Sequence, residues 1–258
     1  DALMRAIELN GVAVEDNQRA FLWGRRAAHD PAAVERLVAA SEPPLPTHEL
    51  SQSLDEIVAR RRTVLTDFQD EAYARRYEAL VLRVRAAETL VQPGSEALAE
   101  AVARNYFRLL AYKDEYEVAR LFSDAEFERT LVSTFEGDYR LRFHLAIPFI
   151  GRADPNTGMP KKFAYGSWMR LAMKPLAKLK FLRGTAFDPF GRSEERRMER
   201  ALIGEYEKTV EALLAGLRTD NVAAAAEIAR LPETIRGYGP IKLRNAAAVR
   251  TKQAELID

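Results

Sequence analysis

Basic residues gather between positions 161 and 200, where eleven Lys and Arg face only Asp188, Glu194, Glu195 and Glu199. Cations at that density attract phosphates and carboxylates. Lys180, Arg183, Arg192 and Arg196 border the stretch 184–191, in which Gly184, Asp188, Pro189 and Gly191 alternate with Phe187 and Phe190. If these four cations project together, the free amides of a helix starting near Ser193 complete an anion site. Arg192 and Arg196 share a helix face only if that helix begins by Arg192. The phosphates of coenzyme A, or an acidic electron-transfer protein, carry the matching chemistry. The competing reading is structural. In it the charges form a solvated helix face, Phe187 and Phe190 pin a buried connection, and Arg183 pairs with Asp188.

A second polar patch, Lys113, Asp114, Glu115 and Glu117 beside Tyr112 and Tyr116, could do acid–base chemistry if burial shifted its pKa values. A continuous helix there would instead make Lys113 and Glu117 an ordinary surface pair. Gly137-Asp138 matches the start of a Gly-Asp-Gly thiamine-diphosphate motif, but Tyr139 replaces the second glycine, and a turn before a strand explains the pair better. No dinucleotide or Walker-type loop is present. The chain has no cysteine, which excludes disulfides, thiolate zinc and cysteine-ligated iron–sulfur clusters from it. His29, His48 and His144 are far apart, a poor basis for a metal site. A net charge of +1, from 39 Lys and Arg against 38 Asp and Glu, argues against nucleic-acid binding.

The elements that must position these residues are helical. Residues 1–40 read as helices interrupted at Gly11, with Asp30-Pro31 opening a short one. Pro43, Pro44 and Pro46 mark 41–52 as a semi-rigid linker. From Ser53, Leu54, Ile57, Val58, Leu65, Phe68, Tyr77, Leu80, Val81 and Val84 recur at mostly three- and four-residue steps, with a break expected near 70–73. Pro93-Gly94-Ser95 is a turn with Ser95 as the cap of a second helix running to Leu121, which predicts an antiparallel hairpin. Alternation from Tyr139 to Leu145 predicts a strand, 151–162 a turn-rich loop, and 161–165 the partner strand. Further helices are expected from Ser167 with Pro175 inside, from the cap Ser193, from Asp220, and from Ile241 after the turn at 237–240. The expected fold is mainly α: long antiparallel amphipathic helices forming a bundle over 53–258, with at most a small β-hairpin near 139–165. No apolar run reaches the ~18–20 residues that span a bilayer, and the expected compartment is the cytoplasm.

Several stretches in order resemble one family: Tyr112-Lys113-Asp114-Glu115-Tyr116-Glu117-Val118-Ala119-Arg120-Leu121, Phe135-Glu136-Gly137-Asp138-Tyr139, Phe143-His144-Leu145-Ala146, the loop 182–191, Glu195-Arg196-Arg197-Met198-Glu199-Arg200 and Ile235-Arg236-Gly237-Tyr238-Gly239. Together they resemble the carboxy-terminal domain of the single-chain indolepyruvate ferredoxin oxidoreductases. Ala6-Ile7-Glu8-Leu9-Asn10-Gly11 through Gly24-Arg25 resembles the end of the preceding gamma-type catalytic domain, which would make 1–40 its tail. The resemblance implies a parent enzyme that oxidatively decarboxylates an aryl 2-oxoacid, forms acyl-coenzyme A and reduces ferredoxin, with thiamine diphosphate and iron–sulfur clusters held upstream. It transfers no catalytic residue to this chain, and Ile147 and Pro240 depart from the family's pattern. The expectation is a noncatalytic helical part of a longer polypeptide, without a cofactor of its own. Its partners would be the upstream domains and, through the basic segment, ferredoxin or coenzyme A. Its amino-terminal segment, with Leu3, Ile7, Phe21 and Trp23 in want of a partner, would dock opportunistically or pair with a second copy.

Overall fold

The computed structural model describes residues 2–41, 51, 53–146, 161–237 and 240–257. Most of the proline-rich linker, the loop 151–160, Ile147 and the turn positions 238 and 239 lie outside the described residues. Chain contacts divide the protein into two compact units, residues 1–50 and 51–258.

The first unit holds α1 (Ala2–Asn10), α2 (Val14–His29) and α3 (Pro31–Ser41). Gly11 separates the first two at φ +67°, a conformation costly for residues with a Cβ. Asp30 Oδ1 accepts from the Ala33 amide at 3.0 Å, and Pro31 takes the first helical position, where its missing N–H costs nothing. No residue of α1 or α2 is buried. Leu3, Leu9, Leu22, Trp23 and Leu37 are all exposed.

The second unit begins with α4 (Leu54–Phe68), α5 (Glu71–Val91) and α6 (Ala97–Leu110). Each start has a named cause. Ser53 Oγ accepts from the Glu56 amide, and Asp70 Oδ1 accepts from Tyr73 at 2.8 Å, which places the break between α4 and α5 where periodicity falters. The third start departs from expectation. Ser95 lies one place before the N-cap, Glu96, and its Oγ accepts only a long bond, 3.4 Å, from the Ala97 amide. Its hydroxyl donates to Glu88 Oε1 at 2.7 Å, and the carboxylate of Glu88, fully buried on α5, takes the amides of Leu98 (3.1 Å) and Ala99 (2.9 Å). One helix therefore caps the next, and this fixes the turn between them.

The helix expected to run to Leu121 is instead two, α6 and α7 (Glu115–Ser123), and a further helix, α8 (Ala125–Thr134), follows. Asp114 interrupts the expected helix and Asp124 separates α7 from α8, each accepting an amide three residues on, at 2.8 Å from Glu117 and Phe127. A carboxylate that competes for backbone amides outweighs continuous periodicity. Strands β1 (Phe143–Leu145) and β2 (Phe163–Tyr165) pair antiparallel, with His144 opposite Ala164. The hairpin is where it was expected, shorter than the alternation from Tyr139 suggested. Then come α9 (Met169–Lys178), which continues through Pro175 into a 3₁₀ turn Leu179–Leu182, α10 (Glu194–Ala215), capped by Ser193, α11 (Val222–Arg230) and α12 (Pro240–Ile257). The mainly α expectation holds. Among the described residues, no helix is long and apolar enough to cross a membrane.

The main core lies between α4, α5, α6, α10 and α11. At its centre Tyr77, Tyr106 and Tyr206 stack successively at 6.0 Å between ring centroids. Their hydroxyls donate to Ala103 O, the Glu207 carboxylate and Ala229 O, so the aromatic column leaves no buried hydroxyl without a partner. A smaller core of Ala119, Phe143, Met169 and Met173 joins α7, α9 and the hairpin.

Glu88→Ala strips two buried amides of their acceptor, and a loss of about 2–4 kcal/mol is expected. Glu88→Gln, which retains one acceptor oxygen, should lose less. Urea unfolding followed by circular dichroism checks both; equal loss in the two variants would assign the effect to packing instead.

Candidate functional site

The densest collection of ionisable groups is buried where the start of α7, the loop 183–191 and the start of α10 meet. Arg183, with its side chain 6% exposed, is its hub. Its Nε and Nη2 donate to Asp114 Oδ2 (2.5 Å) and Oδ1 (3.0 Å), and its Nη1 donates to Phe68 O (2.6 Å) and Gln69 Oε1 (2.7 Å). The guanidinium also lies 3.7 Å from the Phe68 ring centroid, a favourable cation–π placement. Arg183 thus binds the end of α4 and the start of α7 together.

Asp188 does not pair with Arg183, contrary to the structural reading of the loop. Its Oδ2 accepts from the Gly184 amide (2.8 Å), while Oδ1 accepts from the Phe190 amide and the Tyr116 hydroxyl (both 3.1 Å). The loop is wound around this one carboxylate. A Cβ on Gly191 would stand 2.5 Å from Asp188 Oδ2, and Gly184 sits at φ +74°, so both glycines answer to that winding. Burial, and next to it Asp188, pushes the Tyr116 phenol well above its ordinary range.

Arg196, on the first turn of α10, pairs with Glu199 and approaches Glu115 at 3.5 Å. Glu199, 3% exposed, also receives Lys242 from α12. Glu117 is nearly buried and takes both arms of Arg120 (2.9 and 2.7 Å). Burial raises the Glu115 carboxyl above its usual value, with Arg196 opposing only in part, and Glu115 Oε2 has no hydrogen-bond donor among the described residues. Burial, then Asp114, raises Tyr112 to about 12.

The four candidate cations are not brought to one surface. Lys180 donates to Thr66 O (3.3 Å) and Asp67 O (2.6 Å) in the last turn of α4, and burial lowers its pKa. Arg183 and Arg196 point inward. Arg192 alone is exposed; it precedes α10, whose first residue is Glu194, and donates to Ala186 O at 3.2 Å. Asp114, by contrast, belongs to the patch read as a surface helix. It is an N-cap, so Lys113 lies outside the helix and does not share a face with Glu117. The signal was present: an Asp three residues before a Glu marks a helix start.

Above Arg183 opens a cleft of about 450 Å³ lined by Gln69, Tyr73, Arg76, Tyr112 and Arg200. Arg76 is held by Glu207 through two bonds of 2.7 Å. Arg200 donates through Nη2 to Gly191 O (2.6 Å), while its buried Nη1 has no hydrogen-bond partner among the described residues. In the first unit a wider concavity of about 840 Å³ runs over Leu22, Trp23, Val34 and Leu37. Among the described residues no group of three or more His, Asp or Glu is placed to hold a metal ion.

Two substitutions probe the network. Arg183→Met leaves Asp114 buried without its counter-charge and should cost about 3–5 kcal/mol; adding Asp114→Asn, which can still cap α7, should recover part of that. For Glu115 the folded pKa lies above the unfolded one, so ionisation opposes folding as pH rises through that interval. Glu115→Gln should therefore raise the thermal midpoint at pH 7, and the gain should vanish below pH ~4, where the unfolded carboxyl is itself neutral. A gain independent of pH would contradict this assignment.

No curated protein and no solved structure matches the chain. One family model does match, over residues 54–255, and so spans the second unit nearly from end to end. The chain belongs to that family, described as a family of unknown function, DUF6537.

Proposed function

We propose that this chain is the carboxy-terminal part of an indolepyruvate-type 2-oxoacid:ferredoxin oxidoreductase, and that its helical unit is a noncatalytic bracing domain of that enzyme in the cytoplasm. The ordered resemblance of residues 112–121, 135–139, 143–146, 182–191, 195–200 and 235–239 supplies the parent. The observation that supports the bracing role is the Arg183–Asp114 joint with its surroundings. Arg183, Arg196, Lys180, Asp188 and Glu199 are each engaged by a backbone or side-chain partner on another element: the end of α4, Glu115, the end of α4, Tyr116 and Lys242 in turn. Thiamine diphosphate and iron–sulfur clusters belong, in this reading, to the domains upstream. A cluster held by thiolates does not fit this chain, which has no cysteine to ligate it.

The test compares three proteins: the full reading frame that contains this chain, the same frame lacking residues 51–258, and the 258-residue chain alone. Each is given indolepyruvate, coenzyme A and a viologen dye as electron acceptor. The full protein should reduce the dye and the isolated chain should not. The truncated protein should show a lowered thermal midpoint or altered assembly. Dye reduction by the isolated chain overturns the noncatalytic role, and a full protein inert toward every aryl 2-oxoacid overturns the parent.

A further inference from the structure

Helix α9 has two apolar faces. One is buried: Met169, Met173, Leu176 and Ala177 pack with Ala119, Phe122 and Phe143. The other faces outward. At 100° per residue Trp168, Leu171, Pro175 and Leu179 fall within an arc of about 80°, set well apart from the buried face. Trp168 keeps helical dihedrals just before Met169, so it continues the stripe. Trp168 is 59% exposed, with its ring against the edge of Tyr165, and Leu171 is 68% exposed. Pro175 is tolerated because its place on this face leaves the freed Leu171 carbonyl to solvent.

The charge around the stripe is one-sided. From residue 161 to residue 187 there is no Asp or Glu at all. Arg170, Lys180 and Arg183 in that stretch are held by Glu128, the end of α4 and Asp114. Lys174 and Lys178 are exposed, make no ion pair with a described residue, and lie along one flank of the stripe at about 60–100° from its centre. An exposed apolar strip bordered by unengaged cations calls for an apolar centre bordered by carboxylates. A bilayer would present anionic headgroups to both flanks, and among the described residues of α9 the second flank carries no cation.

We infer that the outer face of α9 is a docking surface for an acidic electron carrier of the ferredoxin type, with Trp168, Leu171 and Leu179 as its apolar centre and Lys174 and Lys178 as its charged rim. The choice of carrier rests on the functional reading above. It moves the site away from Lys180, Arg183 and Arg196, which the fold employs internally, and onto cations that remain available.

The test uses the whole chain with Trp23→Phe, which leaves Trp168 as the only tryptophan. Oxidised ferredoxin is titrated in at low ionic strength, with Trp168 emission as the readout. Carbodiimide coupling, which joins lysines to carboxylates in contact, then maps the contact by mass spectrometry. Saturable binding that weakens with salt and cross-links through Lys174 and Lys178 are expected. Lys174→Glu with Lys178→Glu should weaken binding about tenfold or more, and Leu171→Ala should weaken it without changing the helical spectrum. Absence of binding at low salt, binding indifferent to the charge reversal, or cross-links confined to other lysines overturns the proposal. So does a response of Trp168 to phosphatidylserine vesicles but not to ferredoxin, which would assign the face to a membrane. Viologen reduction by the full protein does not pass through this surface, so the parent activity can fail or stand independently of docking.

Discussion

The second unit hangs on one buried ion pair. Arg183 reaches Asp114 across 69 positions through Nε and Nη2, and Phe68 across 115 through Nη1. Taking both charges out of water costs several kcal/mol per ion, which a single Coulombic contact does not repay. Here the cost is offset by a bidentate grip on the carboxylate, two further acceptors at the end of α4 and the face of Phe68. A lysine has three donors radiating from one point and could not serve a carboxylate and a carbonyl in different directions at once. Because Asp114 is also the N-cap of α7, the pair sets where that helix begins as well as where it sits. That in turn aims Tyr116 at Asp188 and winds the loop 183–191.

Helices with a regular apolar period were legible from residues a few places apart. The faces of α4 and α5 follow from Leu54 to Val84, and the break between them from a single aspartate. The bundle, the capping role of Ser193 and the site of the hairpin were open to the same local reasoning. What local reasoning could not supply was pairing at a distance. Glu88 takes the larger part of the capping of α6, beside a long bond to Ser95, because a buried carboxylate from the preceding helix can satisfy two amides together, and nothing about residues 93–96 reveals it. The patch at 113–117 looked like a solvated helix face because charge is the usual sign of exposure. It is buried because its partners, Arg183 and Arg196, arrive from segments some 70–80 positions later, about the separation that periodicity is blind to. The strand fell short of Tyr139 for a related reason: alternation shows that a segment could pair, while the ladder needs a partner, which β2 offers over three residues.

The basic bias between 161 and 200 is therefore two populations with opposite physical roles. Arg170, Lys180, Arg183 and Arg196 each satisfy a carbonyl or carboxylate, and Arg183 and Arg196 do so at nearly buried positions. A charge in that setting is short-ranged in effect and specific in geometry; removing it damages the fold before it could inform on any ligand. Lys174 and Lys178 keep their ammonium groups in water, where the interaction with a partner is weak per charge, screened by salt and additive along a rim. Only the second population can tune an encounter without rebuilding the protein. The same division separates the two readings of the chain. A bracing domain requires the inward population, an electron-carrier dock requires the outward one, and α9 carries both because its buried face anchors it to α7 while its outer stripe, touched only at Trp168 by the edge of the Tyr165 ring, stays exposed. The rigidity from the first face is what would make the second a surface of defined shape, so the bracing role and the docking role support one another and do not compete for the same side chains.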